Sequence, residues 1–337
     1  MLQLVWGLFL IVLLAGACAV LASGGKADAA LLPLPLLSGM ALLLYGFGLA
    51  GALRIGAALA VVLLVAVWAV GLVRLRPAGF VKACREAVST PGLALFVGGA
   101  AFFWVLFFVL QPMFTQWDEF TALGLAPKMV VERGAFYVAD PVNLKASFTY
   151  PATSLVTFLF QPFGRWAEWA CLAALDTLAL ACVAAATALP RSRWFASVGV
   201  FAAGVVLPYF FRDPAPGAYA TQYVNAMADL PMAMLFGGTL CLYFGTERRR
   251  GFFWLTALPL ALLTLTKDSR CSRHTHRPLP SGYNLPGLCF LFGYDAVPSH
   301  HGRYSNAHPQ TRHMSCCNTS RCLLYTPGSC ASHDPGA

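Results

Sequence analysis

The sequence predicts an all-α, polytopic transmembrane protein of about eight spans, with a functional outer loop and a helix lying at the outer interface. Three observations predict it. Of 337 residues, 58% are hydrophobic and only 11% are charged, against about 25% charged in a soluble domain. Apolar runs recur near the ~20 residues that a helix needs to cross a bilayer, and helices rather than open sheets satisfy their backbone there. The basic residues gather between those runs, so the formal charge of +9 reports orientation rather than a nucleic-acid partner.

Leu2–Ser23 is apolar and long enough to span, and it lacks the basic lead of a signal peptide. After a polar link, Leu31–Leu53 and Ile55–Val73 form a second and third span, a hairpin turning at Arg54. The stretch 74–90 carries Arg74, Arg76, Lys82 and Arg85 against Glu86, which marks a cytoplasmic loop. Gly92–Leu110 then runs outward into the long polar segment Gln111–Pro151. The run 152–164 is too short to cross and is expected to lie at the interface. Trp166–Leu189, Trp194–Phe211, Asp229–Gly245 and Phe252–Thr266 complete the spans, with basic clusters at Arg191, Arg193 and Arg248 to Arg250 on the inner side. This divides the chain into N-terminal spans with a basic loop (1–91), a core (92–269) and a tail (270–337). The expected location is a cell membrane, inner or plasma, with the active face extracytoplasmic.

The outer segment opens on Trp117-Asp118-Glu119, two adjacent carboxylates just past an apolar helix. A carboxylate at the mouth of a lipid-facing cavity can act as a general base or hold a divalent metal, which makes Asp118 and Glu119 the catalytic candidates. The competing reading is a solvated helix cap. The same outer loop carries Lys128, Arg133 and Lys145. Asp229 opens the seventh span, and the eighth delivers Lys267 and Asp268 to the same face. Cations beside an acid suit a phosphate-bearing lipid substrate, and contact with bilayer headgroups is the alternative. Asp176 lies mid-span, either functional or a neutral acid bonded to a neighbouring helix.

These elements resemble the GT-C superfamily of membrane glycosyltransferases, including the protein O-mannosyltransferase-like and RgtA/B/C/D-like families. The resemblance rests on Gln116-Trp117-Asp118-Glu119, on Tyr150-Pro151-Ala152 in place of a Tyr-Pro-Pro element, and on Phe163-Gly164-Arg165-Trp166-Ala167-Glu168 leading into a span. Ala228-Asp229-Leu230-Pro231 and Thr266-Lys267-Asp268-Ser269 complete it. It covers roughly residues 92–269. It implies transfer of a sugar from a polyprenyl-phosphate-linked donor to a glycan, lipid or protein acceptor outside the cytoplasm. Asp118 would then be the base and Lys267 a contact to the lipid phosphate. The substrate-binding set it implies is Lys128, Lys145, Tyr150, Asp229, Lys267 and Asp268. A transporter or flippase of lipid-linked sugars, which would place polar groups near the midplane, and a non-catalytic membrane subunit are the alternatives.

The tail departs from that pattern. All seven histidines and six of the eleven cysteines follow residue 270, and the apolar periodicity stops. The expectation is a reading-frame shift near codons 269–270, leaving a disordered tail and a truncated transferase whose activity the truncation puts in question. A zinc-binding tail using Cys316, Cys317, Cys322, His308 and His313 lacks paired finger spacing, and a disulfide-rich outer tail is a third reading.

Overall fold

Proline, glycine and the apolar runs between them set most helix boundaries. The computed structural model describes residues 1–24, 28–136, 150–189, 194–210, 224, 226, 228–246 and 253–266. Among them there is no strand. In chain order the helices are α1 (Leu2–Ser23), α2 (Pro33–Leu49), α3 (Leu53–Ser89), α4 (Pro91–Leu110) and α5 (Leu125–Arg133). They continue with α6 (Pro151–Phe160), α7 (Glu168–Thr187), α8 (Trp194–Phe210), α9 (Asp229–Thr246) and α10 (Ala257–Thr264). Proline occupies the first turn of α2, α4 and α6, where its missing N–H costs nothing and its fixed φ favours the helix.

Five segments are long and apolar enough to cross a membrane: Leu2–Ser23, Ala29–Leu49, Leu53–Ser89, Pro91–Leu110 and Glu168–Thr187. Their burial separates them. In α7, 94% of the most apolar stretch is buried, against 28% in α3 and 33% in α4. Alpha-seven is therefore the spine, and α3 turns Ile55, Val62, Leu63, Val65, Val70 and Val73 outward, as a lipid-facing helix does. The spine is rich in alanine, so its neighbours approach closely. Hydrogen bonds cross this packing: Trp104 Nε1 of α4 donates to Thr177 Oγ1 of α7 at 3.0 Å, and Ser197 Oγ of α8 donates to the Thr187 carbonyl of α7 at 3.3 Å. Such interhelical bonds contribute about 0.6 kcal/mol on average.

The basic stretch after the third span is helical rather than a loop. Alpha-three breaks at Arg76 (φ 58°, ψ 161°), just before Pro77, and then resumes to Ser89. Pro77 has no N–H and disfavours a helical residue before it, whereas 77–89 places Phe80, Ala83 and Ala87 on one buried face. The Phe80 and Trp68 rings lie 5.4 Å apart. Twelve residues of straight helix span ~18 Å, so the chain folds back at the break. Alpha-six also differs from a solvated interfacial helix: every residue from Ala152 to Phe160 is buried.

Contacts define two ends of the bundle. At one end Trp6 Nε1 donates to the Leu159 carbonyl (3.0 Å), Gln3 Nε2 to that of Arg165 (3.3 Å), and the Ala152 amide to that of Leu265 (3.2 Å). The start of α1, the 111–136 segment, α6 and the end of α10 therefore share this end. At the other end Gly92 packs against Thr187 and Ala30, beside the basic stretch 74–90.

Gly16 of α1 lies directly under the Trp68 indole, whose Nε1 donates to the Leu13 carbonyl at 2.9 Å. Gly16→Val should destabilise the α1–α3 pair by about 1–3 kcal/mol through overpacking, measured as thermal unfolding in detergent. Gly98→Ala, where an added Cβ meets nothing within 4 Å, should be neutral or stabilise by up to about 1 kcal/mol.

Candidate functional site

The two adjacent acids take different places. The segment after α4 leaves the helix at Gln111, a left-handed C-cap (φ 48°), and becomes helical again at Trp117. Residues Glu119–Leu123 form a π turn, closed by the Gly124 amide donating to the Glu119 carbonyl at 2.9 Å. Isolated π turns of this kind are frequent at functional sites. In this turn Asp118 is exposed, and Trp117 is 77% exposed beside it. Glu119 points inward and is 0% exposed.

Glu119 has three amide donors. Thr115 (2.8 Å) and Gln116 (2.7 Å) donate to Oε2, and Ala226 (2.6 Å) donates to Oε1. The bond from Gln116 is the reach-back of a third-position glutamate onto the residue that starts the helix, as in a capping box. The bond from Ala226 joins positions 107 apart in the chain. A second carboxylate completes the clamp: Glu168 Oε2, at the start of α7, accepts from the Phe114 amide at 2.8 Å. Three consecutive amides, 114 to 116, are thus held by two acids from different elements.

The other candidates fall around this clamp. Asp229, exposed, begins α9 three residues after Ala226. Tyr150 is half-buried and starts α6, where its carbonyl accepts from the Ser154 amide (3.1 Å) and from Thr153 Oγ1 (3.2 Å). Lys128 is half-buried on α5, which packs against α6. Lys145, Lys267 and Asp268 lie outside the described residues, as do the tail 270–337 and the basic clusters at 191–193 and 248–250. Leu265 and Thr266, which precede Lys267, end the chain's described part at this same end of the bundle. Asp176 is 3% exposed within α7, and among the described residues its Oδ2 has no hydrogen-bond partner.

Three further residues at this end escaped the sequence reading. Gln161, 1% exposed, clasps the 161–167 turn by accepting from the Ala167 amide (2.8 Å) and donating to the Ala167 carbonyl (3.2 Å). A glutamine between an apolar run and a Pro-Phe-Gly turn was the signal for it. Glu168 was visible only as part of a motif, although an acid opening an apolar helix requires a partner. Arg54, seen only as a hairpin turn, lies against Gly134 and Gly164.

Among the described residues no three His, Cys, Asp or Glu side chains gather to hold a metal. The chain matches no family model, no curated protein and no solved structure.

Glu119→Ala should strand buried amides and cost about 2–4 kcal/mol, at roughly 1–3 kcal/mol for each unsatisfied buried group with partial relaxation. It should also open the 111–136 segment to limited proteolysis. Asp118→Asn, an exposed neighbour, should shift stability by no more than about 0.5 kcal/mol. Thermal unfolding and protease mapping of the two purified variants check the contrast.

Proposed function

We propose that the chain is a membrane glycosyltransferase of the GT-C kind, moving a sugar from a polyprenyl-phosphate-linked donor to an extracytoplasmic acceptor. The observation that carries this reading is Asp118: an exposed carboxylate on a turn whose backbone is clamped by the buried Glu119 and the half-buried Glu168. A base must be accessible to its substrate and held in a fixed position. Asp118 has both properties, while Glu119 has its oxygens committed to amides.

In this mechanism an Asp118 oxygen takes the proton of the acceptor hydroxyl. The acceptor oxygen forms a bond to the anomeric carbon as the bond from that carbon to the phosphate oxygen breaks, and polyprenyl phosphate leaves with the electron pair. Glu119 acts by positioning. Asp229, Tyr150 and Lys128 supply polar contacts for donor and acceptor, with Lys145, Lys267 and Asp268 as further candidates. The topology that accompanies this reading has eight spans, with α8, α9 and the 253–266 segment crossing and α6 tucked near the outer interface. The basic ends at 74–90 face the cytoplasm of a cell membrane.

A second reading, carriage of a lipid-linked sugar, is favoured by one observation, the unpartnered Oδ2 of Asp176 inside the spine helix.

With the full chain in proteoliposomes, Asp118→Asn should lower glycan transfer by about 10²–10⁴-fold, the usual contribution of a general base, with normal membrane insertion. Transfer that persists in Asp118→Asn but collapses in Asp176→Asn would overturn the enzyme reading in favour of carriage.

A further inference from the structure

Alpha-four is apolar throughout and 20 residues long, a rise of ~30 Å, or about one hydrocarbon thickness. One of its faces is open along most of its length. Phe102, Val105 and Val109 recur at helical spacing and are exposed. An added Cβ on Gly98, one turn earlier on that face, meets nothing within 4 Å. A long uncovered apolar face of this kind marks contact with a membrane.

The exposed apolar run does not stop where the helix stops. Leu110 ends α4, and beyond it Met113 is 71% exposed, Trp117 77% and Phe120 54%. The left-handed backbone at Gln111 (φ 48°) turns the chain aside. The Phe114 amide then donates to Glu168 Oε2 at 2.8 Å, and the Phe114 ring lies 6.0 Å from that of Trp166. Phe114 therefore stays level with the start of α7, which packs along α4. The Phe120 ring is 6.3 Å from that of Phe114, so the π turn stays at this level too. The segment crosses the end of the bundle instead of rising away from it, and Glu119 holds its backbone there.

Between these apolar side chains the exposed residues are polar: Gln111, Thr115 and Asp118. A mixture of this kind, with a tryptophan in it, suits the boundary between headgroups and hydrocarbon. The stretch 111–120 holds no Lys or Arg, so any attraction to a bilayer is apolar and not a matter of anionic headgroups.

We propose that Met113, Trp117 and Phe120 form a lip embedded in the bilayer leaflet at this end of the bundle, with phospholipid as its partner. The lip continues the open face of α4 and sets the Asp118 carboxylate among the headgroups. The inference deepens the transferase reading and rests on it only for the claim that Asp118 reacts. A substrate of that site is then an amphiphile whose reacting group lies at headgroup depth.

The test uses the full chain in phosphatidylcholine nanodiscs, with nitroxide-labelled phosphatidylcholine as probe. The chain has eight tryptophans, so the Trp117 component is taken as the difference between wild type and Trp117→Phe. A nitroxide near the ester should quench this component about twofold or more compared with one at the chain end, as for a side chain ~5–10 Å into the boundary. Aqueous acrylamide should quench it weakly, and adding phosphatidylglycerol should leave the pattern unchanged. A phosphatidylcholine with a photoactivatable carbene precursor near the ester gives a readout that needs no variant, and adducts at Met113, Trp117 or Phe120 are expected. Quenching by acrylamide and by neither nitroxide would overturn the proposal, because the lip would face water. So would stronger quenching from the chain end, which would put the lip below the headgroups. Insensitivity to all three quenchers, with no adducts in 113–120, would also overturn it and would point to a second copy of the chain as the cover. Neither readout involves turnover. The transferase reading fails on a separate result, sugar transfer that persists in Asp118→Asn.

Discussion

Glu119 carries a carboxylate that is fully removed from solvent and has no cation beside it among the described residues. Burying such a group is costly unless its oxygens are hydrogen-bonded. Here three backbone amides meet them, at 2.6 to 2.8 Å, and charge-assisted bonds of this length are among the stronger ones available to a protein. The same contacts satisfy amides that would otherwise be stranded between α4 and the π turn. The bond to Ala226 closes the 111–136 segment onto the lead-in to α9. Glu168 repeats the device one residue earlier, from the spine helix. Successive helical residues lie about 100° apart, so the inward commitment of Glu119 turns Asp118 toward solvent. One buried acid therefore determines the exposure of the other.

The scaffold beneath this clamp is an alanine-rich helix surrounded on nearly every face. Alpha-four, α9, α2, α6 and α8 all pack on α7. Small side chains permit that many neighbours, and large aromatic side chains fill the gaps between them, with the Trp104 ring tilted against Phe160 (5.3 Å) and edge-to-face with Trp169 (5.8 Å). The outermost helices, α3 above all, present apolar side chains outward. In water such a surface would be an aggregation liability, whereas in a bilayer it is the solvated face. The polar chemistry is consequently confined to the helix ends, with Asp176 as the exception inside the spine.

That confinement also holds for the N-terminal hairpin. Its tip reaches the same end as Asp118, and its Arg54 occupies the notch between two glycine-capped turns.

The sequence by itself determined the all-helical class and the presence of apolar helices long enough to cross a membrane. These are local properties: an apolar run of sufficient length, punctuated by proline or glycine, must satisfy its own backbone wherever lipid surrounds it. Leu2–Ser23 was readable in this way, and so was the fourth apolar run, read from Gly92 where α4 begins at Pro91. The tertiary structure decided what depends on distant partners. That 77–89 folds back as helix follows from Phe80 meeting Trp68. That Asp118 is open and Glu119 closed follows from an amide 107 positions away. That Arg54 lies beside Gly134 and Gly164 follows from two left-handed turns in separate segments. None of these pairings leaves a periodic trace in the chain, because each is made by a single side chain reaching across the bundle.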